Sequence, residues 1–330
     1  MGFTLHQNGS VCHGLLTIAI PTFNRPSHIV GALASIEKQN RFSADIQVLI
    51  VNNSQDEEIK RKYRNVLARY SELHIRYVEN PSNIGMFGNW NRCISLCETP
   101  YITILNDDDR LRPQFLERCI PLLGGENLIV TRARIINGSR SRTHKILKSI
   151  YILTRKKLHR SSSKKHINPG TFLSGNSIHA SLGVIFKKDA ALAQGGFLEK
   201  KYPAADVFFT HTYALTYGVT YIFEELADYV WGDNNATNPE VAKLLCLREY
   251  QLRQWYLINF CREATLYRVA KAWSVMHLKS KRYSLQRQIS TPLEMGRLDL
   301  ILAKYPTVPM YIINLGWQIL GFFLPSGRGR

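Results

Sequence analysis

Four short apolar runs occur in the first third of the chain, each followed by a stretch with helical spacing, and this alternation limits the fold more than any other feature. Leu15–Ile20 (LLTIAI) ends in PTFNRP, after which Ile29, Leu33 and Ile36 recur on one helical face. Pro26 suits the first turn of that helix. Ile46–Val51 (IQVLIV) ends in NNSQDEE, and the polar helix that follows carries acids early and Lys60–Arg64 later, the order the helix dipole favours. HIRYVEN reads as a third strand. After the loop NPSNIG, the side chains of Phe87, Trp90, Ile94 and Cys97 line one helical face. YITIL is the fourth strand and delivers Asn106, Asp107, Asp108 and Asp109. Strands alternating with helices predict an α/β fold around a mostly parallel sheet flanked by helices. Ligands bind outside the carboxyl ends of such strands. That rule gathers Pro21–Arg25, Asn52–Ser54, Asn80–Gly85 and Asn106–Asp109 at one edge.

Three adjacent carboxylates repel one another, so packing them at a strand end calls for a cation. Clustered aspartates fit a hard divalent ion that shares its oxygen ligands with substrate phosphates. The alternative is a solvated turn in which Asp109 caps the next helix. Other chemistries lack their motifs: GxxxxGK[ST], GxGxxG after the first strand, GxSxG and HExxH are all missing.

The net charge of +18 points to a polyanionic partner. No zinc-finger spacing, RNP pattern or evident helix-turn-helix supports nucleic acid, so an anionic membrane surface is the expected partner. Between Asn127 and Lys188 there is no acidic residue, and a basic insertion is expected over about 132–170. The six cysteines form no CxxC pair, which suits a reducing compartment, and the N-terminal stretch does not read as a secretory signal. Beyond about Asn238 the chain reads as helical, ending in an apolar segment over 306–325. That segment can span a membrane, lie in its interface with Trp317 as anchor, or pack as a core helix; interfacial attachment is the expectation, with packing next.

The pieces LTIAIPTFNRP, VLIVNNS, NPSNIGMFGNWNRCISLCETPYITILNDDDRLRP and GGF…AADVFFTHTYALTYG, in that order, resemble a family 2 glycosyltransferase of the GT-A fold. The NIGMFGNWNRC…YITILNDDD section is similar to bacterial enzymes of lipopolysaccharide O-antigen assembly, abequosyl- and rhamnosyltransferase-like members among them. The resemblance implies a GT-A domain over 14–237 and a helical C-terminal region over 238–330. It implies a nucleotide-sugar donor, a glycolipid or lipid-diphosphate-linked acceptor, and Mg²⁺ or Mn²⁺. The implied setting is cytoplasmic, at the inner face of the bacterial inner membrane.

The same resemblance assigns roles to positions. Pro21, Thr22, Asn24, Arg25, Asn52, Asn53, Asn83, Asn89, Arg92, Asn106 and Asp107 are expected at the donor, Asp108 and Asp109 at the metal, and Asp206 as the base that deprotonates the acceptor in an inverting displacement. Three departures stand out: VNNSQ replaces the usual VDDGS, Asn106 replaces the first aspartate of LDADD, and Ala205-Asp206 keeps only one acid of the usual ED pair. YVWGDNNAT aligns with a segment that often reaches the diphosphate, but here that place reads Trp231-Gly232-Asp233. The rival readings are a non-catalytic nucleotide-sugar- or glycan-binding protein that keeps the fold and, more remotely, a basic nucleic-acid-binding protein.

Overall fold

A computed structural model describes residues 4–6, 14–39, 46–125, 128–136, 163–164, 173, 181–230, 238–287, 289 and 292–324. Apart from 132–136 and 163–164, the basic insertion lies outside the described residues, as does 231–237 with Trp231-Gly232-Asp233.

The chain divides into two compact units. The first comprises 1–165, 179–197 and 217–232, and the second 166–178, 198–216 and 233–330. The segment 198–216, with Asp206, groups with the C-terminal helices.

The first unit is built on a ten-stranded sheet. In chain order its strands are β1 Thr4–His6, β2 Leu16–Thr22, β3 Ile46–Asn52, β4 Ile75–Glu79, β5 Tyr101–Ile104, β6 Arg110–Leu111, β7 Leu128–Ile136, β8 Ser163–Lys164, β9 Val184–Lys187 and β10 Val219–Val230. They lie in the order β1-β4-β3-β2-β5-β9-β7-β10-β6, with β8 paired to β10. The four strands read from the sequence are parallel neighbours, with Thr22 opposite Asn52, Asn52 opposite Glu79 and Ala19 opposite Ile104. Strands β2 and β3 are buried along their whole length, as continuous apolar runs in a parallel sheet should be. Beyond β5 the sheet becomes mixed, since β9 is antiparallel to both β5 and β7. From β2 the order runs one way to β3 and β4 and the other way to β5, so the strand order reverses between β2 and β5. Such a switch point opens a crevice at the carboxyl ends.

Helices α1 Ile29–Glu37, α2 Glu57–Leu67 and α3 Met86–Leu96 follow the first three parallel strands. Helix α1 begins three residues after Pro26, with His28 preceding its first turn. Asp56 caps α2 by accepting from the N–H groups of Glu58 and Ile59. Gly85 precedes α3 at φ 77°, a conformation that a side chain would strain. Phe87 and Trp90 of α3 pack with Phe197 at centroid distances of 6.2 and 5.1 Å. Asn91 clasps the Phe197 backbone, donating to its carbonyl at 2.8 Å and accepting from its N–H at 2.7 Å. The short helices α4 Phe115–Cys119 and α5 Lys188–Ala193 complete this unit. Helix α4 starts after Gln114, so Asp109 does not cap it.

The second unit holds α6 Ala205–Tyr217 (its last residue lies in the first unit), α7 Pro239–Phe260, α8 Ala264–Gln286, α9 Arg297–Ala303 and α10 Met310–Leu320. Cys246, Val275, Leu278, Met295 and Leu302 form a core among α7, α8 and α9. The apolar tail departs from expectation at Trp317. Helix α10 has 11 residues, and no helix among the described residues is long and apolar enough to cross a membrane. Trp317 is fully buried and donates its indole N–H to His277 Nδ1 at 3.0 Å, so it is a core residue and not an interfacial anchor. A Cβ on Gly316 would lie 2.0 Å from the Trp273 ring, so only glycine allows this close approach of α10 to α8. Tyr311, Leu315, Ile319 and Phe322 recur at helical spacing on an exposed apolar stripe.

Candidate functional site

Strand β2 ends at Thr22 and β5 at Ile104, and the loops after them meet at the switch point. There the three aspartates diverge. Asp107 turns into the protein, only 1% exposed; Asp108 is half-buried; Asp109 is buried on the other side. Asp107 Oδ1 accepts from Arg25 Nη2 at 2.5 Å, and its Oδ2 accepts from the Thr22 hydroxyl at 2.7 Å. Thr22 has one proton, so the Tyr63 hydroxyl 2.6 Å away donates to it, and Tyr63 in turn accepts from the Arg25 N–H at 2.9 Å. Arg25 also reaches Asp108 Oδ2 with Nη1 at 3.2 Å. The cation demanded by the adjacent carboxylates is therefore in part an arginine of the chain itself. Burial nevertheless pushes the Asp107 carboxyl up to about 6, against the pull of Arg25 and Thr22.

Asp109 is satisfied elsewhere. Its Oδ1 accepts from the Val230 N–H at 3.1 Å and its Oδ2 from Asn106 Nδ2 at 3.0 Å. Burial and the neighbouring Asp108 push it up to about 7. Antiparallel pairing of β6 with β10, Arg110 opposite Asp228, brings Val230 to this place. Among the described residues, the side chains whose ligand atoms lie within 4.8 Å of one another are His28, Asp107 and Asp108. Two carboxylates and an imidazole fit a divalent ion such as Mn²⁺, which accepts both oxygen and nitrogen. Asp108 is the carboxylate with an oxygen to spare, since Arg25 touches only its Oδ2.

Beside this cluster stands a lattice of amides. Asn53 Oδ1 accepts from the Ile84 N–H at 3.1 Å and from Asn80 Nδ2 at 3.0 Å; its Nδ2 donates to the Gly85 carbonyl at 3.3 Å and to Asn83 Oδ1 at 2.6 Å. The backbone partners fix which end is oxygen and which is nitrogen. Asn52 Oδ1 accepts from the Ser54 N–H at 2.9 Å while its Nδ2 donates to the Tyr77 hydroxyl at 2.7 Å. Asn89 donates to the Val51 carbonyl at 3.0 Å and accepts from Asn80 at 2.8 Å. Asn52, Asn53 and Asn89 thus brace three loops against one another. A carboxylate at 53 cannot donate to Gly85 or Asn83, which explains why asparagine stands where the resemblance leads one to expect aspartate. At 106 the reason is similar: an aspartate there would face Asp109 with no proton to offer.

Asn53→Ala is expected to lower stability by about 1–3 kcal/mol, because it strands the buried Asn80 amide and takes a partner from the Ile84 N–H and the Gly85 carbonyl. A urea midpoint within error of the wild type would show the lattice to be dispensable.

The remaining expected residues are placed differently. Pro21 is buried within β2 opposite Val51. Asn24 lies in the loop after β2 at φ 54°, its N–H on the Ser54 hydroxyl at 2.8 Å. Asn83 and Arg92 are exposed. Asp206 begins α6 in the second unit, accepting from the Val207 N–H at 2.8 Å. Burial first, and then the charge of Glu249, push its carboxyl up to about 6. Sequence reasoning missed His28 and Tyr63. His28 lies one helical turn beyond Arg25, and Tyr63 follows Ile59 on the inward face of α2, a spacing that marks it as core without showing that its hydroxyl reaches Thr22.

Comparisons with known proteins bear on the family and the fold. Residues 17–178 match the family model described as Glycosyl transferase family 2. An uncharacterized glycosyltransferase of Mycoplasma pneumoniae is 30% identical over 121 residues, 35% of this chain and 38% of the relative. Abequosyltransferase RfbV of Salmonella typhimurium is 33% identical over 100 residues, 29% of each. The matches thus span well under half of either relative. The mannosyltransferase PcManGT of Pyrobaculum calidifontis, solved with GDP-Man and Mn²⁺, superposes with a TM-score of 0.56 at 13% identity, over 93% of this chain and 84% of that one. That likeness shows a shared GT-A fold.

Proposed function

We propose that this chain, which carries a glycosyl transferase family 2 domain over residues 17–178, is a glycosyltransferase that moves a sugar from a nucleotide-sugar donor to a glycolipid or polysaccharide acceptor. The observation that carries the reading is the convergence of Thr22, Arg25, His28, Asp107 and Asp108 at the carboxyl ends of β2 and β5. His28, Asp107 and Asp108 would hold Mg²⁺ or Mn²⁺, whose charge offsets that of the leaving diphosphate. Arg25, on a long and half-exposed side chain, is placed to exchange its carboxylate partners for donor phosphate oxygens. Asp206 takes the proton of the acceptor hydroxyl, whose oxygen bonds to the sugar carbon as the diphosphate leaves, in a single inverting displacement. Asp109 and Asn106 hold the metal loop in register through β10 rather than ligating the ion.

The setting follows from the partners. The likeness to abequosyltransferase RfbV supports a role in lipopolysaccharide O-antigen assembly. The net charge of +18 and the exposed Tyr311, Leu315, Ile319, Phe322 and Phe323 support peripheral attachment to an anionic membrane, at its cytoplasmic face. A second reading, a non-catalytic nucleotide-sugar-binding protein, draws on one observation: Arg25 already bridges both carboxylates.

One experiment separates the two. The full chain is titrated with a panel of nucleotide sugars, with and without Mn²⁺, and slow donor hydrolysis is followed. A donor that binds and is hydrolysed only with metal is expected; binding without turnover favours the second reading, and no binding under any condition sinks both. Sedimentation of the same preparation with phosphatidylglycerol vesicles is expected, and its absence removes the membrane part.

A further inference from the structure

A second cleft opens in the first unit beside β6. It has a volume of 460 Å³ and lies between α1, the β6 segment and the ends of β7 and β10. Four cationic side chains line it: Lys38, Arg110, Arg112 and Arg134. Among the described residues its one carboxylate, Asp228, is engaged by Arg134 in a two-pronged pair at 2.9 and 3.1 Å. Lys38, Arg110 and Arg112 have no ion-pair partner among the described residues. Three cations without a described ion-pair partner around one concavity raise its potential and favour an anion there.

Arg110 is held in a particular way. A Cβ on Gly31 would lie 3.0 Å from Arg110 Nε and 3.3 Å from Nη2, so the missing side chain lets the guanidinium lie across α1. The floor beside it is apolar, from Val30, Ala34 and Leu111. The volume is within the range of small-ligand pockets. Guanidinium groups in such a cradle recognise phosphate oxygens through paired N–H donors.

We propose that this cleft is an anion site for a phosphate-bearing ligand, separate from the Asp107–Asp108 cluster, with Arg110 and Arg112 on the phosphate and the apolar floor under the attached group. The ligand is either a soluble phosphate ester or the phosphate headgroup of a lipid. The site stands independently of the transferase reading, because no donor or metal enters its recognition.

Calorimetric titration of the full chain with inorganic pyrophosphate in EDTA tests it. Arg110→Gln with Arg112→Gln is expected to weaken pyrophosphate binding by about tenfold per guanidinium removed. Gly31→Ala, which keeps net charge and favours the helix, is expected to weaken it by displacing the Arg110 guanidinium. Arg61→Gln with Lys62→Gln, which removes the same charge from exposed positions of α2, is expected to leave it within about twofold. Equal affinity in the wild type and the Arg110/Arg112 pair, or an equal loss in both charge-removed pairs, overturns the proposal. A parallel sedimentation with phosphatidylcholine vesicles containing phosphatidic acid identifies the source. Loss of both binding modes in the Arg110/Arg112 pair assigns a lipid headgroup, and loss of pyrophosphate binding alone assigns a soluble ester.

Discussion

Asp108→Ala is expected to lower kcat/KM for sugar transfer by about three orders of magnitude or more, with the folded state nearly unchanged. The asymmetry comes from where each carboxylate spends its lone pairs. Each oxygen of Asp107 already accepts one hydrogen bond, from Arg25 and Thr22, and each of Asp109 one, from Asn106 and the Val230 N–H. Among the described residues Asp108 pairs only with Arg25, and 28% of its side chain is exposed. Removing it deletes a metal ligand while leaving the Arg25–Asp107 pair to hold the loops. Thermal midpoints of mutant and wild type should therefore lie close together, while Mn²⁺-dependent donor binding is lost. Transfer within about fivefold of wild type would remove Asp108 from the site. Asp107→Ala is a different lesion, since it leaves the buried Thr22 hydroxyl and Arg25 without an acceptor.

Asp206→Asn is expected to reduce kcat by about 10²–10⁴-fold, the usual contribution of a positioned general base. Asparagine keeps an oxygen for the Val207 N–H, so the start of α6 survives the change. The pH profile distinguishes a base from a mere cap. A base acts when deprotonated, and burial with Glu249 pushes the Asp206 carboxyl up to about 6. Wild-type kcat should therefore rise with pH, reach half its plateau near 6 and level off above it. In Asp206→Asn that acidic limb should vanish from the residual rate. A mutant that keeps the limb, however slow, would assign the proton transfer to another group.

Much of this site was legible before any coordinates because its scaffold is local. Buried runs such as IQVLIV and the i, i+3, i+4 faces after them are set by near neighbours, and parallel strands then bring their terminal loops to one edge. The placement of Asp107 and Asp108 beside Thr22 and Arg25 follows from that register. The roles within the edge were less legible. The sequence places Asn53 at the donor but does not show that its amide donates to Gly85 and Asn83, 32 and 30 residues away. Trp317 read as a membrane anchor because an apolar segment shows its composition but not which face finds a partner; His277, 40 residues earlier, decided that.

The sequence by itself thus determined the α/β alternation, the edge where chemistry is possible and the identity of the acidic loop, since these depend on patterns within one element or one turn. Only the tertiary structure decided which of three adjacent aspartates keeps a free oxygen, that Arg25 pairs with two of them, that His28 joins them, and that Lys38, Arg110 and Arg112 line a separate cleft. Each of those outcomes is a contest among donors and acceptors far apart in the chain, such as Thr22 and Asp107 at a separation of 85 residues. A contest of that kind is settled by distance and burial, which no local pattern encodes.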